Sequence, residues 1–306
     1  MNRITICLLV MGAPALMAQT TATPEPATTA SAPMPTSEAS PTASTKSPTA
    51  IVFSEKGANG MSDLPLGVHR IPDSNVVISG HQKGGGIGML FGVFGMLAQS
   101  SANAEAGTGK VRNVEDDLRF DVRARAIEMT GAAVAGEQYR DVFTLSPRAG
   151  GPTLTVTPYV VLTFVNATDV RPYVVLKTKL DTGVSGQSAK TIKYFCCEGT
   201  ALPLSGENGL IENNGARLKA LLTSELDTAI NVMLLDRARP YPRNDEAKIS
   251  VNGYLPFVGK PFKMKGYDLG RYNDYSLIEF RSGLLVFGGV NIAEPGSLEI
   301  TPATKK

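Results

Sequence analysis

Few residues in this chain combine the type and the spacing that chemistry requires, and Asp181-Thr182-Gly183 comes first among them. An aspartate that shares one proton with a second carboxylate can activate water. Here Thr178 and Lys179 interrupt the apolar run upstream. Lys179 also favours an ionised carboxylate over a shared proton, and a second aspartate would have to come from another copy of the chain. A hairpin turn that needs Asp and Gly explains the tripeptide without chemistry. Asp181 is therefore the best-placed catalytic candidate in a chain read, on balance, as not an enzyme.

Cys196 and Cys197 are the only cysteines once Cys7 leaves with a signal sequence. Neighbours in a strand point to opposite faces, so the pair cannot share one zinc, and no Cys-x-x-Cys spacing exists. In an oxidising compartment they could close a vicinal disulfide or pair with another chain. The simplest expectation is a buried thiol beside an exposed one. His69 and His81 have neither metal nor triad spacing, and Gly183-Val184-Ser185-Gly186 falls one residue short of a nucleophile elbow. Gly84-Gly85-Gly86 with Gly88 lacks the Lys-Ser/Thr of a phosphate loop, and Glu115, Asp116 and Asp117 lack the alternate spacing of a calcium loop. No cofactor or metal is expected. The tripeptide Asp181-Thr182-Gly183, with Val184 and Ser185, resembles aspartic proteases over those residues only.

The stretch that most constrains the chain carries no reactive group. On a helix, Gly84, Gly88, Gly92, Gly95, Ala98, Ala102 and Ala106 fall in one arc, and Met89, Leu90, Val93, Met96 and Leu97 form the large apolar face, with Phe91 interrupting the small arc. Glycine costs a helix roughly 1 kcal/mol per residue relative to alanine, and a small-residue stripe offsets that cost when another backbone approaches closely. The expectation is a glycine-zipper helix over 84–106 that self-associates or contacts a membrane.

The elements around these residues fall into three parts. Residues 1–18 have one basic residue, an apolar run from Ile4 to Met11 and small residues at Ala13, Ala15 and Ala18, the layout of a signal peptide cleaved after Ala15 or Ala18. In 19–50, Thr, Pro, Ala and Ser supply 27 of the 32 residues, which predicts a disordered tether. Residues 51–306 have a globular composition. Lys and Arg number 30 against 28 Asp and Glu, a formal charge of +2 that gives no basis for capturing nucleic acid.

Within 51–306, Ile51–Phe53 and Asn75–Ser79 read as short strands. Residues 113–134 carry both a helix signal, with Asn113 as N-cap, and a strand-like alternation; the helix is preferred. Thr153–Val165, Arg171–Leu180 and Lys190–Cys196 predict an antiparallel meander, with Pro158 placing the first strand at an edge or bulge. Asn214–Arg237 repeats Leu218, Leu221, Leu222, Leu226, Ala229, Ile230, Met233 and Leu234 at helical spacing, stopped by Pro240. Short strands return in KISVNGYLPFV, PFKMKGYDL, YSLIEF, GLLVFGGV and SLEIT. The fold class is α+β: an antiparallel β-rich sheet or sandwich with one amphipathic helix, plus the Gly/Ala-rich helix.

The order of parts, together with GGGIGMLFGVFGMLAQSSANAEAG, resembles poorly characterised exported bacterial envelope proteins that pair a glycine-zipper stretch with a β-rich body. That resemblance implies a self-assembling envelope protein in the periplasm or at the outer membrane. The reading is a non-enzymatic envelope protein. Its alternatives are a periplasmic enzyme of unknown reaction and a soluble periplasmic binding module.

Overall fold

In the computed structural model, residues 47–60, 62–80, 107–281 and 286–302 are described. The expected signal peptide, most of the expected tether, His81 and residues Gly84 to Ala106 of the expected glycine-zipper helix lie outside them.

The centre of the body is the meander of β5 (Thr153–Phe164), β6 (Asp169–Asp181) and β7 (Lys190–Cys197), antiparallel throughout. Val174, Leu176, Tyr194 and Cys196 point into one apolar cluster, and Tyr173, Val175, Phe195 and Cys197 into another on the opposite face. Because both faces are covered, these strands carry continuous apolar runs instead of alternation. The sheet is extended by β1 (Thr49–Phe53), β2 (His69–Arg70), β3 (Val76–Ser79), β4 (Phe143–Thr144), β8 (Leu202–Pro203), β9 (Lys248–Gly253), β10 (Phe262–Tyr272), β11 (Tyr275–Phe280), β12 (Gly289–Ala293) and β13 (Leu298–Pro302). Its main order is β13-β9-β10-β11-β12-β7-β6-β5-β1-β4, with β3 also on β5, β2 on β3 and β8 on β6.

The body is β-rich as expected, but the sheet is mixed and not purely antiparallel. β1 lies parallel to both β4 and β5, β3 to β5, and β12 to β7. No second sheet stacks on the first among the described residues. One face is covered by α1 (Val122–Ala135) and α2 (Glu212–Ala238), and the other by loop residues including Leu64, Leu255, Phe257 and Phe287. Residues of β9 and β11 join those of β5 to β7 in this second cluster, so the sheet curls around it.

Two local expectations are corrected by backbone geometry. Pro158 lies in an interior strand. Val160 donates its N–H to Asn75 O and Ser54 donates to Val156 O, so the β5 residues of this parity face β1 and β3. Pro158, lacking an N–H, faces the gap between those two short strands, where no ladder bond is needed. The helix expected from Asn113 begins only at Val122, capped by Asp121, whose carboxylate accepts from the Ala124 N–H at 2.9 Å. Residues 112–118 are turns that precede it. In GLLVFGGV the described residues 286–288 are irregular, and the described strand starts at Gly289.

α2 packs on β6 and β7 through Leu218, Leu222, Leu226, Ala229, Ile230, Met233 and Leu234. Asn213, Asn214 and Gly215 enter it in the left-handed region, with φ of 54°, 57° and 72°. A Cβ at Gly215 would press on Asp117 O, so glycine allows the 112–118 turns to sit against the helix start. Glu225, fully buried, inserts its carboxylate where β7 separates from β6. Its oxygens accept the N–H groups of Val174 and Glu198, each at 3.1 Å.

Candidate functional site

A notch in the sheet forms a cavity of 770 Å³. It arises from unequal strand lengths. β12 first pairs with β7 at Val290 and Tyr194, while β7 runs on to Lys190 with no described strand on that side. β12 starts at Gly289, whose φ is 136°. A Cβ there would collide with Lys193 O, so glycine lets the strand close the inner end of the notch. Ser62 and Asp63 line one side, and Arg243, Asp245, Glu279, Phe280 and Arg281 the wall across from β7.

The far wall is a braced charge ladder. Arg243 grips Asp236 with two guanidinium nitrogens, at 3.1 and 2.7 Å, and reaches Glu279 at 2.8 Å. Arg281 continues it through Glu279 at 2.6 Å and Asp245, lying over the Tyr267 ring. Asp236 also accepts from the Tyr194 hydroxyl at 2.8 Å and the Tyr241 N–H at 3.0 Å. Burial pushes its pKa up, but the hydrogen bonds from Arg243, Tyr194 and Tyr241 outweigh that and hold it below the ordinary carboxylate value. These arginines are thus fixed in position and neutralised.

The near wall differs. Lys177 pairs with Asp63 at 2.7 Å. Lys193, only 8% exposed, donates to two backbone carbonyls, Ser62 O and Val286 O, the latter at 2.9 Å. Burial lowers its pKa to about 8, against a smaller upward pull from Asp63 and a downward one from Lys177. Neither Lys193 nor the exposed Lys190 is within ion-pair distance of a described carboxylate. The cleft therefore holds five cationic side chains and three carboxylates, and the surplus sits on its β7 wall. Such an arrangement suits a ligand bearing carboxylate or phosphate groups.

The residues singled out in the sequence lie elsewhere. Asp181 ends β6, exposed, and its Oδ1 accepts the Gly183 N–H at 2.9 Å, while Thr182 bonds Gln187. This is the turn that the Asp-Thr-Gly tripeptide allows. Cys196 and Cys197 are free thiols, and both are buried, not one of the two, because both faces of β7 are covered. Burial pushes both thiols up, Cys197 to about 12 although Arg171 Nε is 3.2 Å from its sulfur. The assembly residues Gly84, Gly88, Gly92, Gly95, Ala98, Ala102 and Ala106 are outside the described residues. Among the described residues, no group of three His, Cys, Asp or Glu is arranged to hold a metal ion, and no helix is long and apolar enough to cross a membrane.

His69, which offered no triad spacing in the sequence, proves to have partners far along the chain. Thr108 Oγ1 lies 2.9 Å from Nδ1 and Glu115 Oε1 3.1 Å from Nε2. Where Nε2–H donates to Glu115 and Nδ1 carries no hydrogen, Nδ1 accepts from the Thr108 hydroxyl. Sequence reasoning also passed over the cleft, although one signal was present: in Lys190-Thr191-Ile192-Lys193 a strand parity of two places Lys193 on the buried face beside Phe195. No family model, curated protein or solved structure matches this chain.

Proposed function

We propose that this chain is an exported, non-enzymatic protein of the bacterial envelope, with an α+β body whose cleft captures a ligand bearing carboxylate or phosphate groups. The observation that carries the binding reading is the unpaired charge of Lys190 and Lys193 on one wall of a 770 Å³ cavity. A cavity of that size is within the roughly 300–1,000 Å³ of small-ligand sites. The carboxylates of the other wall are committed to arginines, so the positive charge left over for an anion is that of the lysine wall. Export rests on the layout of residues 1–18, and self-association or membrane contact on the small-residue spacing of 84–106.

The binding reading is tested by titrating pyrophosphate and an acetylated, amidated tetraglutamate into the protein by calorimetry at about 150 mM salt. Binding of either, weakened about tenfold in a Lys190→Gln/Lys193→Gln protein that melts like wild type, supports it. Uptake of neither, or equal binding by that double variant, rejects it. Should the double variant not fold, the exposed Lys190→Gln alone serves, with a loss of about threefold expected.

One observation favours a second reading. The Thr108–His69–Glu115 string has the order hydroxyl, imidazole, carboxylate used in nucleophilic hydrolysis. In that reading Nδ1 takes the hydroxyl proton of Thr108 and Glu115 steadies the ring. It ranks second because none of these residues lines the cleft. A fluorophosphonate probe would label Thr108 in the wild type and leave Thr108→Ala and His69→Ala proteins unlabelled; an unlabelled wild type removes this reading.

A further inference from the structure

Within β7, the residues alternate in the direction of their backbone groups. Thr178 Oγ1 reaches Ile192 O from the β6 side, so Ile192 faces β6. Lys193 O faces β12, since it is the atom that a Cβ at Gly289 would strike. Thr191, two residues from Lys193, therefore turns its N–H and C=O toward the notch as well. There β12 has not yet begun, and β7 pairs only with β6 and β12 among the described residues. Among the described residues, the floor of the candidate site is thus an open strand edge that runs from Lys190 to the N–H of Lys193, about 13 Å at strand rise, and ends where Gly289 meets Lys193 O.

An open edge and two ammonium groups outside any described ion pair select for the same kind of ligand. A backbone that lies beside β7 in extended form satisfies Thr191, and acidic side chains on that backbone reach Lys190 and Lys193, which strand parity sends to opposite faces. A compact anion can meet the lysines but offers no alternating donor and acceptor to the edge. Proteins usually protect such an edge with charge or a bulge; here the protection is cationic, which repels basic segments and attracts acidic ones.

We propose that the cleft takes a short acidic peptide segment in extended conformation, which adds as a strand to the Lys190–Lys193 edge of β7. This rests on the anion-binding reading of the same cleft and names its ligand class.

The test separates the two ideas by backbone chemistry at constant charge. Thr191→Pro removes the N–H that faces the notch and keeps both lysines; it takes no bond from the β6 ladder. The expected result is that wild type binds acetylated tetraglutamate amide about tenfold more tightly than pyrophosphate, and that Thr191→Pro loses about tenfold on the peptide while holding pyrophosphate within about twofold. A tetraglutamate N-methylated at its two central residues, titrated into wild type, should also bind about tenfold more weakly, which settles the matter if the proline variant does not fold. Equal binding of methylated and unmethylated peptide overturns the strand-addition proposal, and so does pyrophosphate binding as tightly as peptide; in both cases the anion-binding reading stands. If wild type binds neither ligand, both fall.

Discussion

Lys193 is the residue whose charge state most directly reports the cleft. Asp63 from the loop before β2 and Lys177 from β6 flank it, Lys190 shares its strand, and Arg243, Asp245, Glu279 and Arg281 face it across the notch. Burial dominates, so its proton leaves near pH 8 where a free lysine would hold it to 10.5. Two consequences have opposite signs. Anion binding needs the ammonium form, so the affinity for tetraglutamate should fall as pH rises through about 8, and in Lys193→Gln that step should be missing from the pH profile. Stability moves the other way. Between the folded and ordinary values the unfolded chain binds more protons, so the unfolding free energy of wild type should rise relative to Lys193→Gln from about pH 8 to 10.5, measured by urea titration. A lysine in a strand ending Tyr-Phe-Cys-Cys already hints at this burial. What surrounds it did not show in the sequence, because the carbonyls it bonds belong to Ser62 and Val286, 131 and 93 residues away.

At the scale of elements, α2 is tied to the sheet by polar anchors at two points along its length. At its C-terminal end, Asp236 joins Tyr194 of β7, Tyr241 and Arg243. Removing one member of such a buried pair strands the other, so Asp236→Asn should cost about 3–5 kcal/mol in urea unfolding. Its folded pKa is depressed, so its contribution is present above the ordinary carboxylate value and lost as pH falls through the folded one. The acid limb of the stability profile should flatten in the variant. In mid-helix, Glu225 satisfies Val174 and Glu198 where the strands part; Glu225→Ala should cost about 2–4 kcal/mol by leaving both N–H groups without a partner. Elements with a strong period were legible: the three meander strands, and the helix with its leucines at 218, 222 and 226. Glu225 and Asp236 were not, since helix periodicity marks them only as buried-face positions and their partners depend on where strands separate. Nor was the parallel pairing of β1, β3 and β12, because a strand of four or five apolar residues reads the same in either direction.

For the whole molecule, the proposed ligand binding and the proposed self-association rest on different stretches of the sequence. Residues 81–106 join Gly80, at the end of β3, to the helical turn at 107–111. The bound His69 ties the return of that segment, through Thr108 and Glu115, back to β2. The described lining of the cleft comes from the loop before β2, β6, β7, β11, β12 and the chain after α2. Binding and assembly should therefore separate by mutation. Replacing Gly88 and Gly92 with leucine fills the small-residue arc, and if close backbone approach between copies is its purpose, native mass in detergent-free buffer should drop to that of one chain and membrane fractionation should be lost. The same protein should bind tetraglutamate within about twofold of wild type, because no described cleft residue is changed. An unchanged mass and unchanged fractionation would remove the stripe from both roles and leave the ligand-binding body as the working part of the chain. A drop in mass accompanied by loss of peptide binding would instead mean that assembly completes the cleft, and the two functions would have to be treated as one.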